Sequence, residues 1–145
     1  MPNFTGNLKG TTTSQTLVCL NDTPEHTMIL RSSTAQHTSS DEHFNHTRHI
    51  TWGTADLIRG QGHERGYFMS EHSNGDCDCG TFECKVSTNA NGLITVEGTW
   101  KFTHGTGQFT GITGNGSFKG RMISPTESES TYEGSYQLKA GTRAA

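Results

Sequence analysis

The sequence contains little charge, few hydrophobic residues and no long apolar run. Charged residues make up 17% of the 145 positions and hydrophobic residues 29%, while aromatic residues recur along the chain. Disordered chains usually combine high charge with few aromatic residues, so this composition favours a folded domain. The lack of an apolar run of about 20 residues argues against a membrane-spanning helix, and the lack of a basic patch argues against nucleic-acid binding. A small domain of this kind has a thin core, so a homo-oligomer, either a dimer or a trimer, is expected.

Features of secretion and of metal binding are also missing. The first residues show no charged segment followed by an apolar one, so no secretory signal is predicted and a cytoplasmic location is expected. In that compartment the four cysteines are expected to be free thiols; they are Cys19, Cys77, Cys79 and Cys84. Structural zinc sites usually combine two Cys or His pairs, and Cys77 and Cys79 have no second pair. Neither a metal nor a cofactor is predicted.

What the sequence does contain is alternation, most clearly between Gly92 and Arg121. One parity of this segment carries the apolar side chains of Ile94, Val96, Trp100 and Phe102. A period of two is typical of a strand with one buried face and one exposed face. Between Gly105 and Gly116 there are five glycines, which exclude a helix. The segment therefore predicts a strand, a glycine-rich corner and a second strand.

Similar patterns predict six further strands and no helix, in one domain over residues 1–145. The predicted strands are Gln15–Leu20, His26–Ser33, Thr47–Ile58, Glu64–Ser73, Cys77–Ser87 and Ser130–Leu138. Residues 1–14 and 139–145 are expected to be loosely held, and residues 33–46 read as a long loop. The Asn74-Gly75 pair is a strong hairpin signal. Eight strands joined by short turns indicate an all-β protein, either an up-and-down barrel or a sandwich.

A repeated spacing of glycine and aromatic residues favours the barrel. The repeats are Gly66/Phe68, Gly80/Phe82, Gly98/Trp100, Gly107/Phe109, Gly116/Phe118 and Gly134/Tyr136. Residues two apart in a strand share a face, so each glycine lies beside a ring on the same side. Alternating small and large side chains fill the tapering interior of a small barrel. The prediction is an eight-stranded antiparallel up-and-down barrel.

The segment Val96–Gly120 resembles small bacterial proteins of the allene-oxide-cyclase-like barrel group. The shared pattern is a tryptophan strand, a Gly-Thr-Gly-x-Phe-x-Gly corner and a Gly-x-Phe-x-Gly strand. The segment Gly60–Phe68 and the turn Asn74–Asp76 are also similar, so the resemblance covers about Gly60–Leu138. It implies a calycin-like barrel with a cavity for a small hydrophobic molecule. The plant enzymes of this group cyclise an unstable fatty-acid epoxide and form oligomers, but their cavity Glu, Asn and Cys do not align with residues of this chain.

These observations lead to a hypothesis of a cofactor-free cyclase, isomerase or lyase that acts on a small hydrophobic or aromatic molecule inside the barrel. The candidate catalytic residues are His49, Glu71, His72, Cys84 and Tyr132. The candidate ligand-binding residues are Trp52, Tyr67, Trp100, Phe102, Phe118 and Tyr136. A buried Glu71 would have a raised pKa and act as a general base. The alternatives are a lipocalin-like carrier of the same class of molecule and a structural protein whose barrel is filled.

Overall fold

The chain forms a closed barrel of eight antiparallel strands in a computed structural model that describes residues 3–139. The strands are β1 (Asn3–Leu20), β2 (His26–Ser39), β3 (Arg48–Ile58), β4 (Gln61–Glu71), β5 (Cys77–Thr88), β6 (Ile94–Gly105), β7 (Thr113–Met122) and β8 (Glu127–Gln137). Each strand pairs with the next along the chain, and β8 returns to pair with β1. The prediction of an all-β up-and-down barrel is confirmed. Within residues 3–139 the one helix is a 3-10 turn, Gly107–Phe109, and no helix there is long and apolar enough to cross a membrane.

The first strand begins twelve residues before the predicted start, at Asn3 instead of Gln15. The segment expected to be loosely held instead closes the barrel, because Asn3–Thr11 pairs with β8. The inner positions of this segment are Phe4, Gly6, Leu8 and Gly10. Because the two glycines lack side chains, the sequence shows no clear apolar alternation here. The predicted loose tail falls largely on residues 140–145, which lie outside the described part of the chain.

The second strand is also longer than predicted. Residues 33–39 were expected to begin a long loop, but β2 continues to Ser39 and pairs with β3 as far as Gln36 opposite Arg48. The inward positions here are Ser33, Ala35 and His37, which are small or polar and give no apolar period. The loop between β2 and β3 is therefore only residues 40–47. The predicted hairpin at Asn74-Gly75 is present, with Gly75 at a φ of 90°.

Seven aromatic residues on the inner parity pair directly with a glycine of the neighbouring strand. The directly opposite pairs are Phe4/Gly134, Phe68/Gly80, Phe82/Gly66, Trp100/Gly116, Phe118/Gly98, Tyr132/Gly6 and Tyr136/Gly114. A Cβ atom at Gly116 would lie 2.6 Å from Cζ2 of Trp100, so the ring occupies the space that a side chain would need. The small-beside-large pattern of the sequence is thus found across strands as well as along them.

One end of the barrel is closed by a cluster that we call the end plug. Its buried members are Phe4, Phe44, Phe68, Phe102, Phe109, Ile112 and Tyr136. Phe44 enters from the loop of residues 40–47 and stacks on Phe4, with ring centroids 4.9 Å apart. The 3-10 turn contributes Phe109, which is fully buried. Packing of these rings seals this end and leaves the space below it inside the barrel.

Candidate functional site

The barrel holds a cavity of about 200 Å³ beside the end plug, and this cavity is partly open to solvent. Its apolar wall includes Phe68, Phe82, Val96, Trp100, Phe102 and Phe118. An apolar cavity of about 150 Å³ in another protein holds one benzene molecule. The space in this barrel therefore suits a molecule of roughly one ring with substituents.

A carboxyl group and a guanidinium group face this cavity from different strands. Glu64 on β4 lies directly opposite Cys84 on β5, and its Oε2 would be 2.8 Å from a Cβ atom at Gly53 on β3. Arg31 on β2 also lines the cavity, and its Nε is buried without a hydrogen-bond partner among the described residues. Burial raises the pKa of the Glu64 carboxyl, and the charge of Arg31 opposes this effect. Such a carboxyl holds a proton more readily than an exposed one.

The thiol of Cys84 lines the same cavity and is 5% exposed. Burial, and after it the neighbouring Glu64, raises the pKa of this thiol to about 12. The thiolate is the nucleophilic form of cysteine, so Cys84 is a weak nucleophile at neutral pH. Its position fits a cavity-lining thiol that contacts a ligand without attacking it.

A second polar group lies next to the end plug. His49 Nδ1 is 3.1 Å from Ser70 Oγ, and His72 Nε2 is 2.7 Å from Asp78 Oδ2. His37 Nε2 contacts the hydroxyl of Tyr132. Burial lowers the pKa of His49 to about 3 and that of His37 to about 4, while burial raises the pKa of Tyr132 to about 12. His37, His49 and Tyr132 are therefore neutral at neutral pH and act as hydrogen-bonding groups.

Of the predicted site residues, six line the cavity and two are buried beside it. Those that line it are His49, Cys84, Trp100, Phe102, Phe118 and Tyr132. Tyr136 belongs to the end plug, and His72 stacks on Phe109 with ring centroids 4.2 Å apart. His72 reaches the cavity only through Asp78, which does line it.

The remaining three predicted residues lie outside the barrel. Glu71 points outward, where its Oε1 is 3.2 Å from Arg48 Nη1, so it is not a buried base. Trp52 and Tyr67 are 41% and 65% exposed and lie opposite each other on the outer surface of β3 and β4. The expectation that these two rings line the cavity is corrected. The parity of Trp52 was misleading because the part of β3 beside the cavity has His49, Thr51 and Gly53 on its inner face, whereas Ile50 and Trp52 lie on the other parity.

Glu64 and Arg31 were missed in the sequence. Glu64 shares its parity with Gly66 and Phe68, but Tyr67 and Met69 lie on the other parity, so the sequence leaves the inner face of β4 ambiguous. Arg31 was hidden by its neighbours Met28 and Leu30, whose apolar side chains are 46% and 58% exposed on the outer surface. Beside these apolar residues, the charge of Arg31 suggests a solvent-exposed position. Only the register of β2 with β3 shows that its side chain is on the inner face.

Comparison with protein-family models, curated proteins and solved structures finds no match to this chain. The eight-stranded antiparallel barrel that the resemblance implies is present, but no match identifies the chain as a member of the allene-oxide-cyclase-like group. Among the residues that the structure describes, no group of three or more His, Cys, Asp or Glu side chains is arranged to hold a metal ion.

Proposed function

We propose that this protein is a cofactor-free isomerase, cyclase or lyase that acts on a small hydrophobic or aromatic molecule in the barrel cavity. We also propose that it belongs with the allene-oxide-cyclase-like barrels. The observation that carries the proposal is the position of Glu64, a carboxyl group with a raised pKa in a cavity walled by aromatic rings. A titratable group with a perturbed pKa inside an apolar pocket is a common feature of catalytic sites.

Glu64 and Arg31 supply the two functions that a proton-transfer reaction next to a carbonyl requires. The carboxylate of Glu64 removes a proton from the carbon beside the carbonyl, and the guanidinium of Arg31 stabilises the negative charge that develops on the oxygen. In a β,γ-unsaturated ketone, return of the same proton to the γ carbon moves the double bond into conjugation with the carbonyl and restores the carboxylate. The aromatic walls hold the molecule in one orientation and keep water away from the reacting atoms.

The other cavity groups have supporting roles in this proposal. Cys84, His49 and Tyr132 are neutral at neutral pH, so they orient a substrate by contact or by hydrogen bonding instead of accepting the proton. His72 contacts Asp78 and not the substrate, because it does not line the cavity and its ring stacks on Phe109 of the end plug.

Deuterium exchange of benzylacetone, a small aromatic ketone, tests the proposal directly. The protein is incubated with benzylacetone in D₂O, and deuteration at the carbons beside the carbonyl is followed by NMR. We expect exchange above the buffer rate, and a loss of about a hundredfold in Glu64→Gln, the lower range for general acid-base catalysis. Glu71→Gln is the matched control, because it changes a carboxylate on the outer face of the same strand. Exchange that is equal in buffer, wild type and Glu64→Gln contradicts the proposal.

The second candidate function is a carrier that binds the same class of molecule without turnover. It is favoured by the neutral state of His37, His49, Cys84 and Tyr132 at neutral pH, since these four groups present no charge to an apolar ligand. A carrier binds benzylacetone inside the barrel and leaves its deuterium exchange at the buffer rate. The exchange experiment therefore separates the two functions.

A further inference from the structure

The second half of β1 is an open edge of the barrel. β8 pairs with β1 over residues 3–11, whereas β2 pairs with β1 as far as Leu20. The hairpin of β7 and β8 ends at this level, where the backbone N–H of Thr12 donates to the carbonyl oxygen of Thr126 at 2.8 Å. Within the described part of the chain, residues 13–20 of β1 therefore have a neighbouring strand on one side only.

Backbone groups of successive residues in an antiparallel strand face opposite neighbours, so the register shows which β1 residues face the open side. In β2, the backbone of His37 bonds to the residues that lead into β3, so odd-numbered residues of β2 face β3 and even-numbered residues face β1. The even-numbered Met28 and Leu30 lie opposite Val18 and Thr16, which therefore bond to β2. The alternate residues of β1 direct their N–H and C=O groups to the open side; they are Gln15, Leu17 and Cys19.

This edge lacks the features by which natural proteins prevent an edge strand from pairing with another chain. Charged residues and proline are the usual protection. Residues 10–21 contain neither. Leu17 and Val18 lie on opposite faces of the strand and are 49% and 55% exposed, so each face offers an apolar side chain. The edge can therefore accept a further strand.

A second copy of the same edge matches the free backbone groups. In an antiparallel pair, two residues that bond to each other must both face the partner strand. With a two-fold axis at Leu17, this residue lies opposite its own copy and Gln15 lies opposite Cys19, so all three outward-facing residues are paired. An axis midway between Thr16 and Leu17 would place each outward-facing residue opposite one that bonds to β2. No charged side chains are brought together in this register.

We propose that the protein forms a two-fold symmetric dimer in which residues 15–19 of β1 pair antiparallel with the same residues of a second copy. On the outer face, Val18 of one copy lies beside Thr16 of the other. The exposed side chains of Met28 and Val18 thereby join Leu30 of the second copy in one apolar strip. The pairing uses this edge in both copies, so the assembly closes at two subunits and not three. This interface is independent of the proposed function of the cavity.

Sedimentation equilibrium at micromolar concentration tests the dimer through a charge exchange at Leu17. We expect the wild type to be a dimer and Leu17→Lys and Leu17→Glu each to weaken it at least about tenfold, because each places like charges opposite each other and removes an apolar contact. An equimolar mixture of the two variants should regain the dimer, since lysine then lies opposite glutamate. Tyr67→Lys is the matched control, because it adds the same charge at an exposed ring of β4 and should remain a dimer. A monomeric wild type, dimeric Leu17 variants or a monomeric mixture each overturn the proposal.

An intermolecular disulfide tests the register independently of these charges. Gln15→Cys places a thiol opposite Cys19 of the other copy, and opposite Cα atoms in an antiparallel pair are about 4.5–5.5 Å apart, which is within disulfide range. We expect mild oxidation to convert this variant to a covalent dimer on a non-reducing gel. Gln15→Cys combined with Cys19→Ser is the matched control and should lose the cross-link. Equal cross-linking of the two variants, or none in either, overturns the pairing of Gln15 with Cys19.

Discussion

Gly6 lies on the inner face of β1, directly opposite Tyr132 on β8. A Cβ atom at this position would be 2.5 Å from Cζ and 2.6 Å from Cε2 of the Tyr132 ring, so Gly6→Ala forces the ring to move. Overpacking of this kind costs about 1–3 kcal/mol, and loss of the contact between Tyr132 and His37 adds about 1 kcal/mol. The lower entropy of the unfolded alanine chain offsets about 0.4–1 kcal/mol. The net expected loss in the free energy of unfolding is about 1–4 kcal/mol.

Urea denaturation followed by tryptophan fluorescence measures this loss, and Gly10→Ala is its matched control. Gly10 lies on the same face of the same strand, but the closest atom to a Cβ there is the flexible Oγ of Ser128 at 2.9 Å. We therefore expect Gly10→Ala to change the unfolding free energy by less than about 1 kcal/mol. If the two variants are equally stable, rings do not pack on glycines in the way described, and the reasoning about the barrel interior is refuted.

Three further predictions concern buried groups. Burial lowers the pKa of His49 from 6.5 to about 3, so between these pH values the unfolded state binds more protons than the folded state, and stability falls as the pH drops. From this residue we expect about 2 kcal/mol less stability at pH 5 than at pH 7, measured from urea midpoints. His49→Gln should remove this part of the pH dependence, and an unchanged pH dependence contradicts the assignment. Cys19 is exposed and Cys84 buried, so a maleimide should label Cys19 quickly and Cys84 only after unfolding, and equal labelling rates in the folded protein would show that the cavity thiol is open to water. Phe44→Ala should lose about 3–5 kcal/mol of stability because the ring is 1% exposed, while Trp52→Ala on the outer face should lose much less; a reversal of this order in thermal melts would place Trp52 inside.

The barrel could be predicted from the second half of the chain because each of its strands carries at least one aromatic ring on the inner parity, spaced from glycine by two residues. Ile94, Val96, Trp100 and Phe102 alternate with polar residues, and the inner face of β6 matches that parity. The first half offers no such signal. The inner positions of residues 3–14 of β1 and 34–39 of β2 are mostly small or polar, so these parts of the two strands were predicted as a loose segment and a loop.

The candidate site was only partly predictable for the same physical reason. Cys84 and Tyr132 were placed inside because they share a parity with Phe82 and Tyr136. Glu71 and Glu64 differ by an odd number of residues, so they must lie on opposite faces of β4, and choosing between them requires the register of the barrel. Only pairing with β3 and β5 shows that the ring of Phe68, and therefore Glu64, is the inner one.

The most direct test of this account is a crystal structure of the protein with benzylacetone. The account predicts the ligand inside the barrel, with its carbonyl oxygen within hydrogen-bond distance of the Arg31 guanidinium and the carbon beside the carbonyl next to the Glu64 carboxyl group. A ligand found instead on the outer surface between Trp52 and Tyr67, with the space beside Glu64 filled by protein side chains, would contradict it.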